Sequence, residues 1–187
     1  MADEIRLPGR DDTSASDATT YADRLDTLAD TRLAYVDWGK PNGDRLYEHY
    51  AELLAAEFDV AAVDYYEKPS PSSPIPQDMF ETILDSDADG VILAIADCGS
   101  CNSSVVIDAK DLEEANVPTV QVITDEFLAL NDKISASHGY EHLPRIVLDH
   151  PTRYLDDDDM GEIATRTVWT VQTALTCEEC LVGPGDA

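Results

Sequence analysis

Short apolar runs alternate with longer amphipathic segments from about residue 31 onward, and this alternation constrains the fold more than any other feature of the chain. The strongest run covers residues 90–96, where every side chain is apolar or absent. A continuous run of this kind predicts a strand that is buried on both faces, as in a parallel sheet covered by helices. Successive strand–helix units therefore predict an α/β fold in three layers, with right-handed crossovers.

Five strands are expected, with helices between them that return the chain to the same end of the sheet. The predicted strands are residues 33–37, 60–65, 90–96, 118–123 and 144–148, and the last helix is predicted over 158–176. This pattern is typical of a flavodoxin-like or Rossmann-like fold with the strand order 2-1-3-4-5. In that order, ligands bind beyond the carboxyl ends of the strands, between the first and the third.

The 187 residues divide into three predicted parts. Residues 1–30 are polar and are expected to form an N-terminal arm with a short helix at residues 21–29. Residues 31–176 are expected to form a single α/β domain, and residues 177–187 a C-terminal tail. Within the domain, residues 68–76 contain four prolines, which exclude regular structure and favour a long functional loop.

Acidic side chains dominate the composition: 39 Asp and Glu stand against 12 Lys and Arg, a net charge of -27. Such a surface repels phosphate groups, so we expect neither nucleic acid nor a membrane as a partner. The acidic residues are spread along the whole chain and only four lysines occur, a bias typical of a salt-loaded cytoplasm such as that of a halophilic archaeon. No apolar run approaches the roughly 20 residues of a membrane span, and the start of the chain lacks the features of a signal peptide. We therefore expect a cytoplasmic protein in high salt.

All four cysteines occur in two Cys-x-x-Cys pairs, Cys98 with Cys101 and Cys177 with Cys180. In a reducing compartment this spacing indicates redox chemistry or metal binding rather than structural disulfides. The first pair lies between the end of the central strand and the start of a helix, where free N–H groups and the helix dipole stabilise a thiolate. Since two intervening residues let the second thiol reach the first, a disulfide can form and reopen there. We predict that Cys98 and Cys101 are catalytic.

Further candidate residues lie in loops at the same predicted edge of the sheet. Lys40 could stabilise a thiolate or hold an anion, and His150 could act as a general acid or base. Asp97 either points away from Cys98 or accepts the proton of the resolving thiol, and a glycine beside Cys98 permits a tight turn. The predicted substrate-binding residues are Lys40, Asn42, Gly99, Ser100, Ser103, Thr124 and His150.

The first cysteine pair and its surroundings resemble the UGSC family, which is named for a selenocysteine-Gly-Ser-Cys motif. The matching residues are Ala96-Asp97-Cys98-Gly99-Ser100-Cys101, Asp108, Leu112-Glu113, Val117-Pro118-Thr119-Val120 and Thr124, with Gly39-Lys40-Pro41-Asn42 upstream and His150-Pro151 downstream. The resemblance covers residues 32–175 and implies a selenoprotein-like thiol oxidoreductase. It implies that Cys98 stands at the selenocysteine position as the nucleophile and that Cys101 is the resolving thiol.

Three hypotheses about function stay open. The leading one is a thiol oxidoreductase that acts on a small molecule or a thiol/disulfide substrate, without a bound cofactor, as a monomer or a homo-oligomer. Alternatively Cys98, Cys101, Cys177 and Cys180 hold zinc, copper or an iron–sulfur cluster, although the predicted helix before the second pair ends at the opposite rim of the sheet, about 20 Å or more away. Finally, Cys101-Asn102-Ser103 resembles the Cys-Asn-Thr stretch of cofactor-independent glutamate and aspartate racemases, so Cys101 could serve a racemase-like or decarboxylase-like enzyme. The second cysteine segment of those enzymes, Gly-Cys-Thr-His, is missing here.

Overall fold

A computed structural model of the protein describes residues 21–178, in which five strands alternate with five α-helices. The strands are β1 (Arg32–Asp37), β2 (Ala62–Glu67), β3 (Gly90–Ala96), β4 (Thr119–Thr124) and β5 (Arg145–Leu148). The helices are α1 (Gly43–Phe58), α2 (Gln77–Asp85), α3 (Gly99–Glu114), α4 (Leu128–Ser137) and α5 (Asp157–Thr176), with single turns of 3-10 helix at Asp125–Phe127 and Thr152–Tyr154. The predicted strands are displaced from the observed ones by two residues at most.

The five strands form one parallel sheet in the order β2-β1-β3-β4-β5, which confirms the predicted topology. Ala96 is aligned with Ile123, and Thr124 with Leu148, so β3, β4 and β5 end at the same edge. Between Leu93 and Ala96 the register of β3 against β4 shifts. Such an irregularity changes which face of the sheet the following side chains occupy.

Helices cover both faces of the sheet, which confirms the Rossmann-like, three-layer arrangement. One apolar cluster packs α1 and α5 against the sheet, and the other packs α2, α3 and part of α4 against the opposite face. Every residue of β3 is buried, as its continuous apolar run predicts for a central parallel strand. Within the described residues, no helix combines the length and the apolar character needed to cross a membrane.

Residues 21–31 contain no helix, so the prediction of a helix at 21–29 is wrong. The main chain of this segment bonds to the domain instead: the Ala22 N–H donates to Glu113 Oε2 at 2.9 Å. Arg24 forms an ion pair with the same carboxylate, and both side chains are almost completely buried. These contacts take the place of the i→i−4 bonds that a helix requires. The division into arm, domain and tail stays a prediction, because residues 1–20 and 179–187 lie outside the described residues.

The proline-rich loop, residues 68–76, lacks helix and strand as predicted, yet it is fixed at both ends to α3. The ammonium group of Lys68 donates to Asp108 Oδ2 at 2.6 Å, and the Ile75 N–H donates to Asp108 Oδ1 at 2.7 Å. Lys68 Nζ also lies 3.9 Å from the centroid of the Trp38 ring. Because burial removes water from both charges, it raises the pKa of Asp108 and lowers the pKa of Lys68.

Candidate active site at the carboxyl edge of the sheet

The first cysteine pair lies where β3 ends and α3 begins. Cys98 directly precedes α3 in an extended conformation, and its sulfur accepts a hydrogen bond from the Cys101 N–H at 3.2 Å. The Ser100 hydroxyl lies 3.5 Å from the same sulfur. A disulfide joins Cys98 to Cys101, with the two Cα atoms 5.1 Å apart. The donors around Cys98 can stabilise its thiolate once this bond is reduced.

The two cysteines differ in exposure. Cys98 is partly exposed, whereas Cys101 has no exposed surface at all. An incoming thiolate must reach the sulfur that it attacks, and of the two sulfurs Cys98 Sγ belongs to the partly exposed residue. The racemase-like hypothesis requires a substrate to reach Cys101. In the disulfide form this residue is buried, so a substrate cannot reach it.

A buried carboxylate lies beside the disulfide. One carboxylate oxygen of Asp97 and the two cysteine sulfurs are all within 4.8 Å of one another, and Asp97 is only 4% exposed. Lys40 Nζ lies 3.3 Å from Asp97 Oδ1, within ion-pair range, yet this oxygen makes no hydrogen bond. Of the two orientations predicted for Asp97, the structure therefore shows the one that faces the thiols.

Asn102, in the first turn of α3, fixes the cysteine loop from inside. Its side-chain amide donates to the carbonyl oxygens of Ala96 and Cys98, both at 3.0 Å. Its own oxygen accepts a hydrogen bond from Asn131 of α4, and Asn131 in turn accepts one from Arg145 of β5. Asn102 and Asn131 are fully buried. The sequence analysis missed this network, since polar residues inside helices carry no periodic signal.

Thr124 and His150 lie side by side beyond the central strand. Thr124 Oγ1 is 3.1 Å from His150 Nδ1. Ala96 is aligned with Ile123, so Thr124 and Asp97 both come directly after aligned residues of neighbouring strands. His150 also lines a cleft of about 290 Å³ beside α5. The structure thus places Thr124 at the end of the strand next to β3, at the edge where the cysteine pair lies, and pairs His150 with it.

Asn42 uses its side chain to join two loops. Its amide donates to the carbonyl oxygens of Thr152 at 2.8 Å and Leu155 at 3.1 Å, which follow β5. Asn42 itself follows β1, and β3 and β4 lie between β1 and β5 in the sheet. The two loops therefore meet near the carboxyl ends of β3 and β4, where the cysteine pair and Thr124 lie. Asn42 thus holds together the loops at the edge of the predicted site. Its side-chain amide already donates hydrogen bonds to carbonyl groups of the protein.

Gly99 and Ser103 belong to the first turns of α3. Gly99 has a helical backbone, and a Cβ atom there would lie 3.8 Å from Leu130, an ordinary contact. Glycine is therefore compatible with this turn, as predicted, but the turn does not require it. The Ser103 hydroxyl donates a hydrogen bond to the Gly99 carbonyl oxygen at 3.3 Å. Its proton is therefore used in a hydrogen bond within the helix.

Cys177, the described member of the second cysteine pair, lies far from this site. Leu175, near the end of α5, packs against Gly90 at the start of β3, whereas Cys98 follows the end of that strand, roughly 25 Å away along an extended chain. Cys177 follows Leu175 by two residues and is itself disulfide-bonded, and Cys180 lies outside the described residues. The predicted four-cysteine metal site is therefore not assembled within the described part of the chain.

A model of the UGSC family matches residues 4–177, almost the whole sequence. The chain belongs to the UGSC family. No curated protein matches it. In this UGSC protein the Gly-Ser-Cys part of the family motif, residues 99–101, forms the first turn of α3, and the preceding Cys98 is bonded to the last residue of the motif.

Proposed function

We propose that this UGSC protein is a thiol-dependent oxidoreductase in which Cys98 attacks and Cys101 resolves. The observation that carries the proposal is the Cys98–Cys101 disulfide at the N-terminus of α3, formed by one partly exposed and one buried cysteine. A disulfide between residues so close in sequence restricts the unfolded chain little, so a purely stabilising role is the weaker explanation.

The reaction runs in two exchange steps. The Cys98 thiolate attacks one sulfur of a substrate disulfide, whose S–S bond breaks, and the released thiolate takes up a proton. Cys101 then gives up its own proton and attacks Cys98 Sγ, which breaks the mixed disulfide and releases the second substrate thiolate. The substrate gains two electrons and the cysteine pair loses two. An external dithiol reduces the Cys98–Cys101 bond and restores the reactive form.

Asp97 and Lys40 support the second step of this scheme. Cys101 is fully buried, so its proton needs an acceptor inside the protein, and the Asp97 carboxylate is within 4.8 Å of both sulfurs. Lys40, 3.3 Å from Asp97 Oδ1, offsets the negative charge that a carboxylate and a thiolate would bring together. From Asp97 the proton can pass to the departing substrate thiolate.

We place the substrate in front of Cys98, beneath the loops that follow β1 and β5. Lys40, Ser100, Thr124 and His150 carry the polar groups that would contact it, while Asn42, Gly99 and Ser103 shape the surrounding loops. This setting suits a small thiol or disulfide compound and requires no bound cofactor from the protein.

The cellular setting is also part of the proposal. The net charge of -27 and the scarcity of lysine support a cytoplasm loaded with salt, as in halophilic archaea. A cytoplasm also supplies the reducing partners that such a cycle needs. Cys98 would then do with sulfur what selenocysteine does at this position in selenoprotein relatives.

Thiol trapping tests the proposed roles directly. The full chain is prepared with Cys177→Ser and Cys180→Ser as a common background, equilibrated with reduced and oxidised dithiothreitol, alkylated and analysed by mass spectrometry. We expect the Cys98–Cys101 bond to open and close with a two-electron dependence on the dithiothreitol ratio. With a small disulfide, Cys101→Ser should accumulate a one-to-one mixed disulfide, because nothing resolves it, and Cys98→Ser should lose the fast reaction. A Cys98→Ser variant that reacts as fast as its background would exclude the assignment.

A further inference from the structure

We propose that the reduced Cys98–Cys101 pair and Asp97 together form a binding site for one thiophilic divalent metal ion such as Zn²⁺. The two sulfurs and a carboxylate oxygen of Asp97 lie within 4.8 Å of one another. Ligands of a tetrahedral zinc ion, at about 2.3 Å for sulfur and about 2.0 to 2.2 Å for oxygen, stand roughly 3.5 to 4 Å apart. Small side-chain movements after reduction therefore bring all three atoms to one ion.

A second observation concerns the hydrogen bonding of the Asp97 carboxylate. Asp97 Oδ1 is buried and makes no hydrogen bond, although buried polar atoms in folded proteins nearly always have a partner. Its one ion-pair contact among the described residues is Lys40, whose side chain is 20% exposed and holds the oxygen only at 3.3 Å. A divalent metal ion bound to this carboxylate would place a strong positive charge beside the oxygen that makes no hydrogen bond.

The site differs from a four-cysteine centre in its third ligand and in its dependence on redox state. Binding replaces the protons of the two thiols: one Zn²⁺, two thiols and one carboxylate give the complex and two released protons. The fourth coordination position stays open for water or for a substrate thiol. Because the same sulfurs form the disulfide, the oxidised protein has no site, and metal binding and disulfide formation exclude one another. The inference rests on the proposed function only in requiring that the disulfide can be reduced.

Metal titration of the full chain tests this inference. Protein with Cys177→Ser and Cys180→Ser is reduced, freed of reductant without oxygen, and titrated in molar salt with Zn²⁺ by calorimetry and with Co²⁺ by absorption. We expect one ion per chain for the reduced protein, with the sulfur-to-cobalt charge-transfer band and the intense visible bands of tetrahedral Co²⁺. The oxidised protein should show neither the binding nor the bands.

Asp97→Asn should weaken the Zn²⁺ affinity about 10-fold or more, because mutations of residues that support a metal site typically weaken metal binding by at least this factor. The matched control is Asp111→Asn, which removes one negative charge from a half-exposed position within helix α3. Asp97→Ser is measured beside it, so that one unfolded variant does not decide the comparison. Equal affinities for the Asp97 and Asp111 variants, or equal binding by the oxidised protein, would overturn the site. Alkylation of the same samples shows separately whether the disulfide opened, so failure of the metal site is distinguishable from failure of the redox function.

Discussion

The buried ion pair between Lys68 and Asp108 allows a quantitative test of how the proline-rich loop is held. Lys68 Nζ lies 2.6 Å from Asp108 Oδ2, and the two side chains are 0% and 2% exposed. Lys68→Met would leave the carboxylate buried, with the Ile75 N–H as its remaining partner. Removing one partner of a buried pair typically costs about 3 to 5 kcal/mol of unfolding free energy. For a domain of this size each kcal/mol corresponds to about 2 to 4 °C, so we expect the melting temperature to fall by about 6 to 20 °C.

The pH dependence of this loss has a definite sign. Burial raises the pKa of Asp108, and without Lys68 it should rise further. A folded state that binds a proton more tightly than the unfolded chain loses stability as the pH rises above the ordinary pKa of the carboxyl group through its folded value. The deficit of Lys68→Met should therefore be largest at neutral pH and should shrink as the pH falls toward 4.

Urea unfolding in molar salt, followed by circular dichroism, measures the free energies for a double-mutant cycle. The second single variant is Asp108→Asn, which keeps an oxygen for the Ile75 N–H, and the double variant should lose less than the two single losses added together. Arg32→Met is the matched control, because its partner Asp64 lies at the surface, with side chains 46% and 34% exposed, and it should cost less than about 1 kcal/mol. A Lys68→Met loss as small as this control, or strictly additive losses, would refute the argument.

Two further predictions concern the glycines and the charge of the chain. Gly99→Ala should keep the fold and the Cys98–Cys101 disulfide, because its Cβ meets only Leu130 at 3.8 Å, whereas Gly43→Ala should lower the melting temperature clearly, because its Cβ would lie 2.3 Å from Asp37 Oδ1. Equal melting temperatures for these two variants would contradict the contact analysis. The net charge of -27 should make folding salt-dependent, so the melting temperature should rise from dilute buffer to molar potassium chloride. A melting temperature that does not change with salt would argue against a salt-loaded cellular setting.

The order of the sheet and the place of the cysteine pair were predictable from the sequence for one physical reason. Apolar residues follow one another without interruption in strands buried on both faces, whereas they recur every three or four positions in helices buried on one face. Once strands and helices are told apart in this way, the expected strand order brings the loops after β1 and β3 together. The N-terminal segment was not predictable in this way. Its conformation depends on Glu113, a carboxylate about 90 residues away in sequence that binds the Ala22 N–H and Arg24. Local periodicity carries no information about such a distant partner.

The position of Asp97 shows most clearly where pattern reasoning stops. Val91 and Leu93 face α3, while Ile92 and Ala94 face α1 and α5, as regular alternation requires. Continued alternation would place Ile95 on the α3 face. After the register shift, however, Ile95 shares the face of Ala94, and Ala96 returns to the α3 side. Asp97 follows directly after this irregularity, so continued alternation does not give its position.

This irregularity lies directly before the residues that lead into the cysteine pair. Asp97 is the first of them, and Lys40, in the loop that leads into α1, lies 3.3 Å from its Oδ1. A shift of one position exchanges the faces of all later side chains in a strand, and an apolar run with no polar residue gives no sign of where such a shift occurs. The apolar residues that made β3 the most predictable strand thus concealed the irregularity that directly precedes Asp97 and the cysteine pair.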